Sequence, residues 1–209
     1  MKILFISQYF YPETFRGNDI AFELAKKGED VTVVSAIPNY PKGKFFEGYG
    51  LFKKNKETIK GVKVVRIPVF SRGKGTSIRL MLNYFSYAFD ASLYIVYLAL
   101  FKKKFDLIFV QQLSPVLISL PAIIYKKIKK TPLYTWVLDL WPESLVSGGG
   151  INNKYIIGFF DWYAKLEYKN SDKILTSSMA FKKSIIAKGN FAEKLVYFPN
   201  WAEDVLLKK

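Results

Sequence analysis

Short apolar runs alternate with stretches of helical spacing along most of this chain. Lys2–Ser7 is apolar and rich in strand-forming residues, which predicts a first central strand. Gly17–Lys27 shows helical spacing at Ile20, Ala21 and Leu24, and Gly28 is a natural stop. Asp30–Ser35 predicts a second strand, so the chain opens as a right-handed βαβ crossover. Five further strands are expected at Val62–Pro68, Phe105–Gln111, Leu133–Leu138, Lys173–Ser177 and Leu195–Phe198. Helices are expected at Thr76–Phe101, Pro115–Lys130, Asn152–Lys169 and Met179–Lys188, with Ser114 capping the second and Pro115 at its first position. Residues 37–60 are punctuated by Pro38, Pro41, Gly43, Gly48 and Gly50, predicting a long loop with aromatic anchors. Arg72–Gly75 reads as a basic turn and Gly148–Gly150 as a flexible loop. Together the elements predict an α/β domain over residues 1–198, a doubly wound, Rossmann-like parallel sheet, with 199–209 leading out of it.

One strand end stands apart. Val137–Leu138–Asp139–Leu140–Trp141–Pro142–Glu143–Ser144 breaks an apolar strand with a polar and aromatic cluster, and Asp139 falls where the strand should stop. In open α/β sheets ligands gather just outside the carboxyl ends of strands, so Asp139, Trp141 and Glu143 read as site residues. A capped strand end with a structural Trp is the plainer alternative. Ser7–Gln8–Tyr9–Phe10–Tyr11–Pro12–Glu13, running on to Gly17–Asn18–Asp19, joins the first strand to the first helix. Backbone N–H groups there can receive a phosphate, although the G-x-G-x-x-G fingerprint is missing. Asn18 and Asp19 are equally explained as helix caps. Asn39–Tyr40–Pro41, with Gly43 and Gly48–Tyr49–Gly50, offers ring faces and amides suited to a sugar or a lipid phosphate, or simply pins a loop.

Composition narrows the chemistry. The chain has no Cys and no His, which removes disulfides, thiolate metal sites and the commonest general base. It also lacks Asp-x-Asp and any carboxylate cluster with hard-cation spacing, so no metal is expected. A net charge of +15 on 209 residues implies an anionic partner, or merely a Lys-rich solvated surface. No helix-turn-helix, zinc module or RRM signature accompanies that charge, and nucleic acid is not the expected partner. Leu80–Phe101 is apolar enough to suggest a membrane span, but it carries Asn83, Ser86, Asp90 and Ser92. An Asp near a bilayer centre is costly, which favours a helix buried in protein or lying on a membrane surface. Lys and Arg clusters rim it, as in proteins that meet anionic lipid. Met1–Ser7 does not have the pattern of a signal peptide.

These motifs together resemble the N-terminal domain of the GT-B retaining glycosyltransferases of family 4, in the group that builds bacterial capsule, O-antigen and exopolysaccharide. Ser7–Glu13, Ile37–Pro41 with Gly43, Gly48 and Tyr49, and Val137–Ser144 carry the likeness, and Phe198–Pro199–Asn200–Trp201 looks like that family's hinge. The resemblance implies a cleft between two domains, with acceptor bound by this half and a nucleotide-sugar donor, a substrate and not a cofactor, bound by a C-terminal half absent here. It implies that Gly17 faces the donor phosphates, that Asp139 is the catalytic residue at the cleft, and that Glu13, Asn39, Tyr40, Trp141 and Glu143 line the acceptor side. Many family members carry a His in this half, where Gln111, Gln112 and Asp139 stand here. The implied partners are a polyprenyl-diphosphate-linked glycan and the inner face of the cell membrane, with the chain inactive alone. A noncatalytic membrane-docking subunit that recruits a separate donor-binding chain is the alternative reading.

Overall fold

The computed structural model describes residues 1–102, 104–149 and 152–201. Eight strands form one sheet: β1 (Lys2–Ile6), β2 (Asp30–Ala36), β3 (Lys56–Ile59), β4 (Val62–Ile67), β5 (Leu107–Gln112), β6 (Leu133–Val137), β7 (Lys173–Thr176) and β8 (Leu195–Tyr197). Their spatial order is β3-β4-β2-β1-β5-β6-β7-β8, and every pairing is parallel except that of β3 with β4. The central strands are apolar almost throughout because both faces of the sheet are covered. The doubly wound α/β expectation therefore holds.

Among the described residues six α-helices connect the strands: α1 (Arg16–Lys26), α2 (Ser77–Phe101), α3 (Leu120–Lys129), α4 (Glu143–Gly149), α5 (Lys154–Asn170) and α6 (Met179–Ala187). Alternation of side chains along the strands splits the core by face. Ile3, Phe5, Val31, Val33 and Trp136 pack with Ala21 of α1, and Phe198 and Trp201 close over the same face. Leu4, Ile6, Val34 and Val110 pack on the opposite side with Tyr87, Ala91 and Ile95 of α2 and with Ala122 and Ile123 of α3. Tyr163, Ala164 and Tyr168 of α5 extend that second layer together with Ile185 of α6.

Three local expectations need correction. Residues 37–60 are not all loop, since Lys56–Ile59 pairs antiparallel with β4. Its Lys-Glu-Thr-Ile pattern is too polar to announce a strand, and only an edge position tolerates it. Ser114 does not cap a helix; its hydroxyl donates to Asp139, and a 3-10 turn at Val116–Ser119 precedes α3. Gly148 lies inside α4 and not in a loop, while Gly150 lies outside the described residues. Of the 199–209 connection, residues 202–209 also lie outside them.

The long helix α2 is apolar on two sides, with different side chains on each. Its buried face is small or polar, with Asn83, Ala88, Ala91, Ser92 and Ala99 beside Tyr87, Ile95 and Leu98. Ile78, Met81, Leu82, Phe85, Phe89, Leu93 and Leu100 face outward. Small residues let the helix sit close to the sheet, and the bulky ones are left without a partner among the described residues. Exposed apolar residues gathered on one helix face in this way are the kind of surface that meets a partner or a membrane. By length and composition α2 is also apolar enough to cross a membrane.

Candidate functional site

All the parallel strands end on one rim, so the loops after β1, β2, β4, β5 and β6 converge there. The chain winds one way from β1 through β2 to β4 and the other way from β5 through β6 to β8, which puts the topological switch between β1 and β5. Ser7 and Gln8 follow β1 at that point, and Gln111 and Gln112 end β5. All four are fully buried. Ser7 Oγ donates to Gln111 Oε1 at 3.0 Å, and Gln8 Nε2 donates to Asn83 Oδ1 on α2 at 2.8 Å. Gln111 Nε2 has no hydrogen-bond partner among the described residues.

Gly17 sits at the same switch, in the first turn of α1 and not in a loop. A Cβ there would come within 2.0 Å of Gln111 Oε1, so glycine is what lets the carboxamide lie against the start of the helix. No side chain caps α1, and Phe15 holds the N-cap position. Asn18 is not a cap: its Oδ1 accepts from Tyr11 N (3.1 Å) and its Nδ2 donates to Glu13 O (2.7 Å), clamping the preceding loop to the helix. Asp19 is exposed in the first turn, where a negative charge suits the helix dipole. Gly17→Ala must swing Gln111 aside and lose its bond from Ser7. The expected cost is about 1–3 kcal/mol, read by urea unfolding. In the Gln111→Ala background the same change is expected to cost much less; equal costs in both backgrounds would refute the contact.

Glu13 ties two loops together from inside. It is buried, with Oε1 accepting from Asn39 N (2.9 Å) and Tyr40 N (2.7 Å) and Oε2 from Phe10 N (3.3 Å). Burial pushes its carboxyl up to about 7, while the backbone donors and the Arg66 charge pull the other way. Asn39 is equally committed. Its Oδ1 accepts from Arg72 N (3.2 Å) and Asn83 Nδ2 (3.5 Å), and its Nδ2 donates to Ile37 O (2.8 Å). Tyr40 is the open member of this group, 40% exposed, with its ring under the Arg72 guanidinium at 5.1 Å.

Asp139 lies half-buried just past β6. Ser114, just past β5, donates to its Oδ2 at 2.6 Å. The paired registers Gln111↔Trp136 and Gln112↔Val137 put Asp139 on the rim next to the Gly17–Gln111 contact, one strand away. Trp141 and Glu143 turn elsewhere. The Trp141 ring is buried against Phe160 of α5, 4.8 Å between centroids, in the core beside Val116 and Tyr163. Glu143 accepts from Ser184 Oγ (2.7 Å) and pairs with Lys188 (2.9 Å) on the α6 side. Burial alone would raise the Glu143 carboxyl, but the bonds from Ser184 and Lys188 bring it below the usual range.

Three residues of this rim escape a sequence reading. Arg66 is a fully buried cation on β4, pairing with Glu57 Oε1 at 2.9 Å and donating to the Tyr11 carbonyl. Arg72 donates to Tyr9 Oη at 2.7 Å and stands over the rings of Tyr9, Tyr40 and Tyr84. Ser114 holds Asp139. The basic turn at Arg72 was visible as a charge, but its three-tyrosine surround joins residues up to 75 positions apart and has no local signature.

No family model matches the chain. It is similar to a putative colanic acid biosynthesis glycosyl transferase, WcaI, of Escherichia coli (strain K12), 25% identical over 214 residues that cover 97% of this chain and 51% of that protein. Its fold is similar to HepE of Anabaena, solved in complex with UDP and glucose (TM-score 0.57, 15% identity, 99% of this chain and 46% of that one). It is also similar to a sucrose-phosphate synthase of Thermosynechococcus elongatus (TM-score 0.60, 11% identity, 98% and 49%). The chain shares the Rossmann-like fold found in GT-B glycosyltransferases. It spans about half the length of each of these relatives.

Proposed function

We propose that this chain is the acceptor-binding half of a GT-B glycosyltransferase of the retaining, family 4 type. It acts with a donor-binding half that supplies a nucleotide sugar, and the acceptor is a lipid-linked glycan, polyprenyl diphosphate in kind, for a surface polysaccharide. The observation that carries this reading is the rim itself: Gly17 with Gln111, and Asp139 with Ser114, share one edge at the switch of a doubly wound sheet. The likeness to a putative glycosyl transferase of colanic acid biosynthesis supports the substrate class. In this reading the start of α1 faces the donor phosphates. Asp139 faces the reacting sugar, and the departing phosphate takes the acceptor proton. The reaction needs no metal and no cofactor.

The outward apolar stripe of α2 and the net charge of +15 support a peripheral seat on the anionic inner face of the cell membrane. The test pairs two readouts on one preparation. The chain is floated with anionic and with neutral liposomes, then assayed for sugar transfer to a lipid-linked acceptor with and without a donor-binding polypeptide. Binding to anionic vesicles at least tenfold above neutral ones, and transfer only when the second polypeptide is present, is the expected result. Equal, negligible flotation would remove the membrane seat, and transfer by the chain alone would remove the half-enzyme reading.

A further inference from the structure

Beside the start of α2 two rim loops cross at a pair of glycines. Gly73 N donates to Gly43 O at 2.9 Å, and a Cβ on Gly43 would fall 1.8 Å from Gly73 O. Gly43 and Gly73 have positive φ, 69° and 56°, which a side chain disfavours. The crossing sets the Tyr40–Lys42 segment, after β2, against the Arg72–Gly75 turn, after β4. Between them lies an open pocket of about 380 Å³, lined by Tyr40, Lys42, Arg72 and Lys74 together with Leu80 of α2. At about 3.6 residues per turn, Leu80 shares a side of α2 with the buried Asn83 and Tyr87, opposite the outward Ile78, Phe85 and Phe89. The pocket therefore belongs to the rim and not to the apolar stripe.

Its positive charge is held in place and left unanswered. No carboxylate occurs in the sequence between Glu57 and Asp90, and Lys42, Arg72 and Lys74 make no ion pair among the described residues. Glu13, bound by Tyr40 N, has both oxygens taken up by backbone N–H groups. Arg72 is fixed by neutral groups instead, through Tyr9 Oη at 2.7 Å and Tyr84 Oη at 3.4 Å. These bonds use two of the five N–H donors of a guanidinium, so the fork keeps donors for a ligand. Burial, together with the nearby Tyr84, holds the Tyr9 phenol protonated well beyond its usual range, so it does not neutralise the guanidinium.

Rings join this pocket to the switch of the sheet. Tyr9 stacks on Phe15 at 4.8 Å, Phe15 packs on Tyr40 at 5.4 Å, and Phe15 stands two residues before Gly17 at the start of α1. Tyr40 is the exposed end of that series and lies against the Arg72 guanidinium. An exposed ring beside an unneutralised guanidinium suits a sugar that carries a carboxylate. The ring takes the C–H face of the pyranose, and the planar fork takes both oxygens. We infer that this pocket is a subsite for an acidic sugar, a uronic acid, in the acceptor glycan. Lys42 and Lys74 supply the charge that draws the acid in, and Arg72 with Tyr40 fixes its orientation. Neither Gly17, Gln111 nor Asp139 lines the pocket, so the acidic sugar is a neighbour of the accepting one and not the accepting one itself. This subsite rests on the acceptor reading above and gives its glycan a charge.

The test is equilibrium binding on the whole chain with four soluble probes: phenyl glucuronide, phenyl glucoside, inorganic phosphate and glycerol phosphate. The glucuronide is expected to bind about tenfold or more tightly than each of the others, the scale of one added charge-assisted contact. Lys42→Glu/Lys74→Glu, which changes two exposed side chains, is expected to lose about tenfold for the glucuronide and to leave the glucoside unchanged. Tyr40→Ala is expected to weaken both glycosides and leave inorganic phosphate unchanged. Equal affinity for the two glycosides, or a glucuronide affinity unmoved by the double charge reversal, would overturn the subsite. Phosphate or glycerol phosphate bound as tightly as the glucuronide would make it a free-anion or lipid-headgroup site and overturn it as well. Because binding needs no donor half, this result stands apart from the transfer assay. Glucuronide binding without transfer would keep the binding site and defeat the acceptor reading, whereas transfer with no preference between the two glycosides would do the reverse.

Discussion

In the two-domain enzyme proposed above, Asp139→Ala is expected to lower sugar transfer by about 10²–10⁴-fold, the range for removing a group that acts on the transition state. The loss should fall on kcat more than on the KM for the nucleotide sugar, because a group facing the reacting sugar acts chiefly in the transition state. The melting temperature should stay within about 4 °C, since the change deletes one half-exposed hydrogen bond, from Ser114 Oγ at 2.6 Å. Ser114→Ala should be milder, about tenfold or less, because the hydroxyl only orients the carboxylate. Normal transfer by the Asp139→Ala enzyme would remove Asp139 from the reaction.

The second large effect concerns stability and pH. Glu13 and Glu167 are both buried, and burial raises their carboxyls from 4.5 to about 7 and about 8. For an acid with a raised folded-state pKa, folding favours the protonated form. Below about pH 4.5 both folded and unfolded chains are protonated and nothing is lost. Above it the unfolded chain releases its proton first, so stability falls as pH rises, by about 1.4 kcal/mol per pH unit for each carboxyl until its folded pKa is passed. Carboxylates held low by partners, Glu143, Asp161 and Asp172, act the other way, and their smaller contribution is lost as pH falls below about 4. Stability should therefore peak near pH 5 and decline toward pH 8.

Glu13→Gln should flatten the part of that decline between about pH 5 and 7. Glu13→Ala should cost about 3–5 kcal/mol at pH 7, because it strands the N–H groups of Phe10, Asn39 and Tyr40 in the interior. Chemical denaturation at several pH values reads both effects. A wild-type stability that rises steadily from pH 5 to 8 would contradict the burial argument.

The rim was legible where a strand's end dictates it. Asp139 was placed by the rule that ligands gather at carboxyl ends, and Gly17 by the backbone N–H groups at the start of the first helix and by the family resemblance; the structure brings both to one edge. What each polar side chain does there was not legible. Glu13 and Asn39 carry the residue types of a ligand shell, yet each spends its hydrogen bonds on the two loops they join. Trp141 sits two residues past Asp139 but turns into the core under α5, and Glu143 meets Lys188 at the C-terminal end of α6. Those partners are 19 and 45 residues away, beyond any local pattern.

Hydrophobic period and glycine and proline punctuation were enough to set strand and helix alternation, and with it the parallel sheet, since each apolar run could be satisfied only by burial between layers. They could not choose which side of α2 faces inward, because both sides are apolar. Packing decided it: the Ala and Ser face allows close approach to the sheet, so the Phe and Leu face is left outside. The same holds for Arg72, whose charge any reader of the sequence sees. Its surround of three neutral tyrosines exists only once the loops after β1, β2 and β4 meet α2.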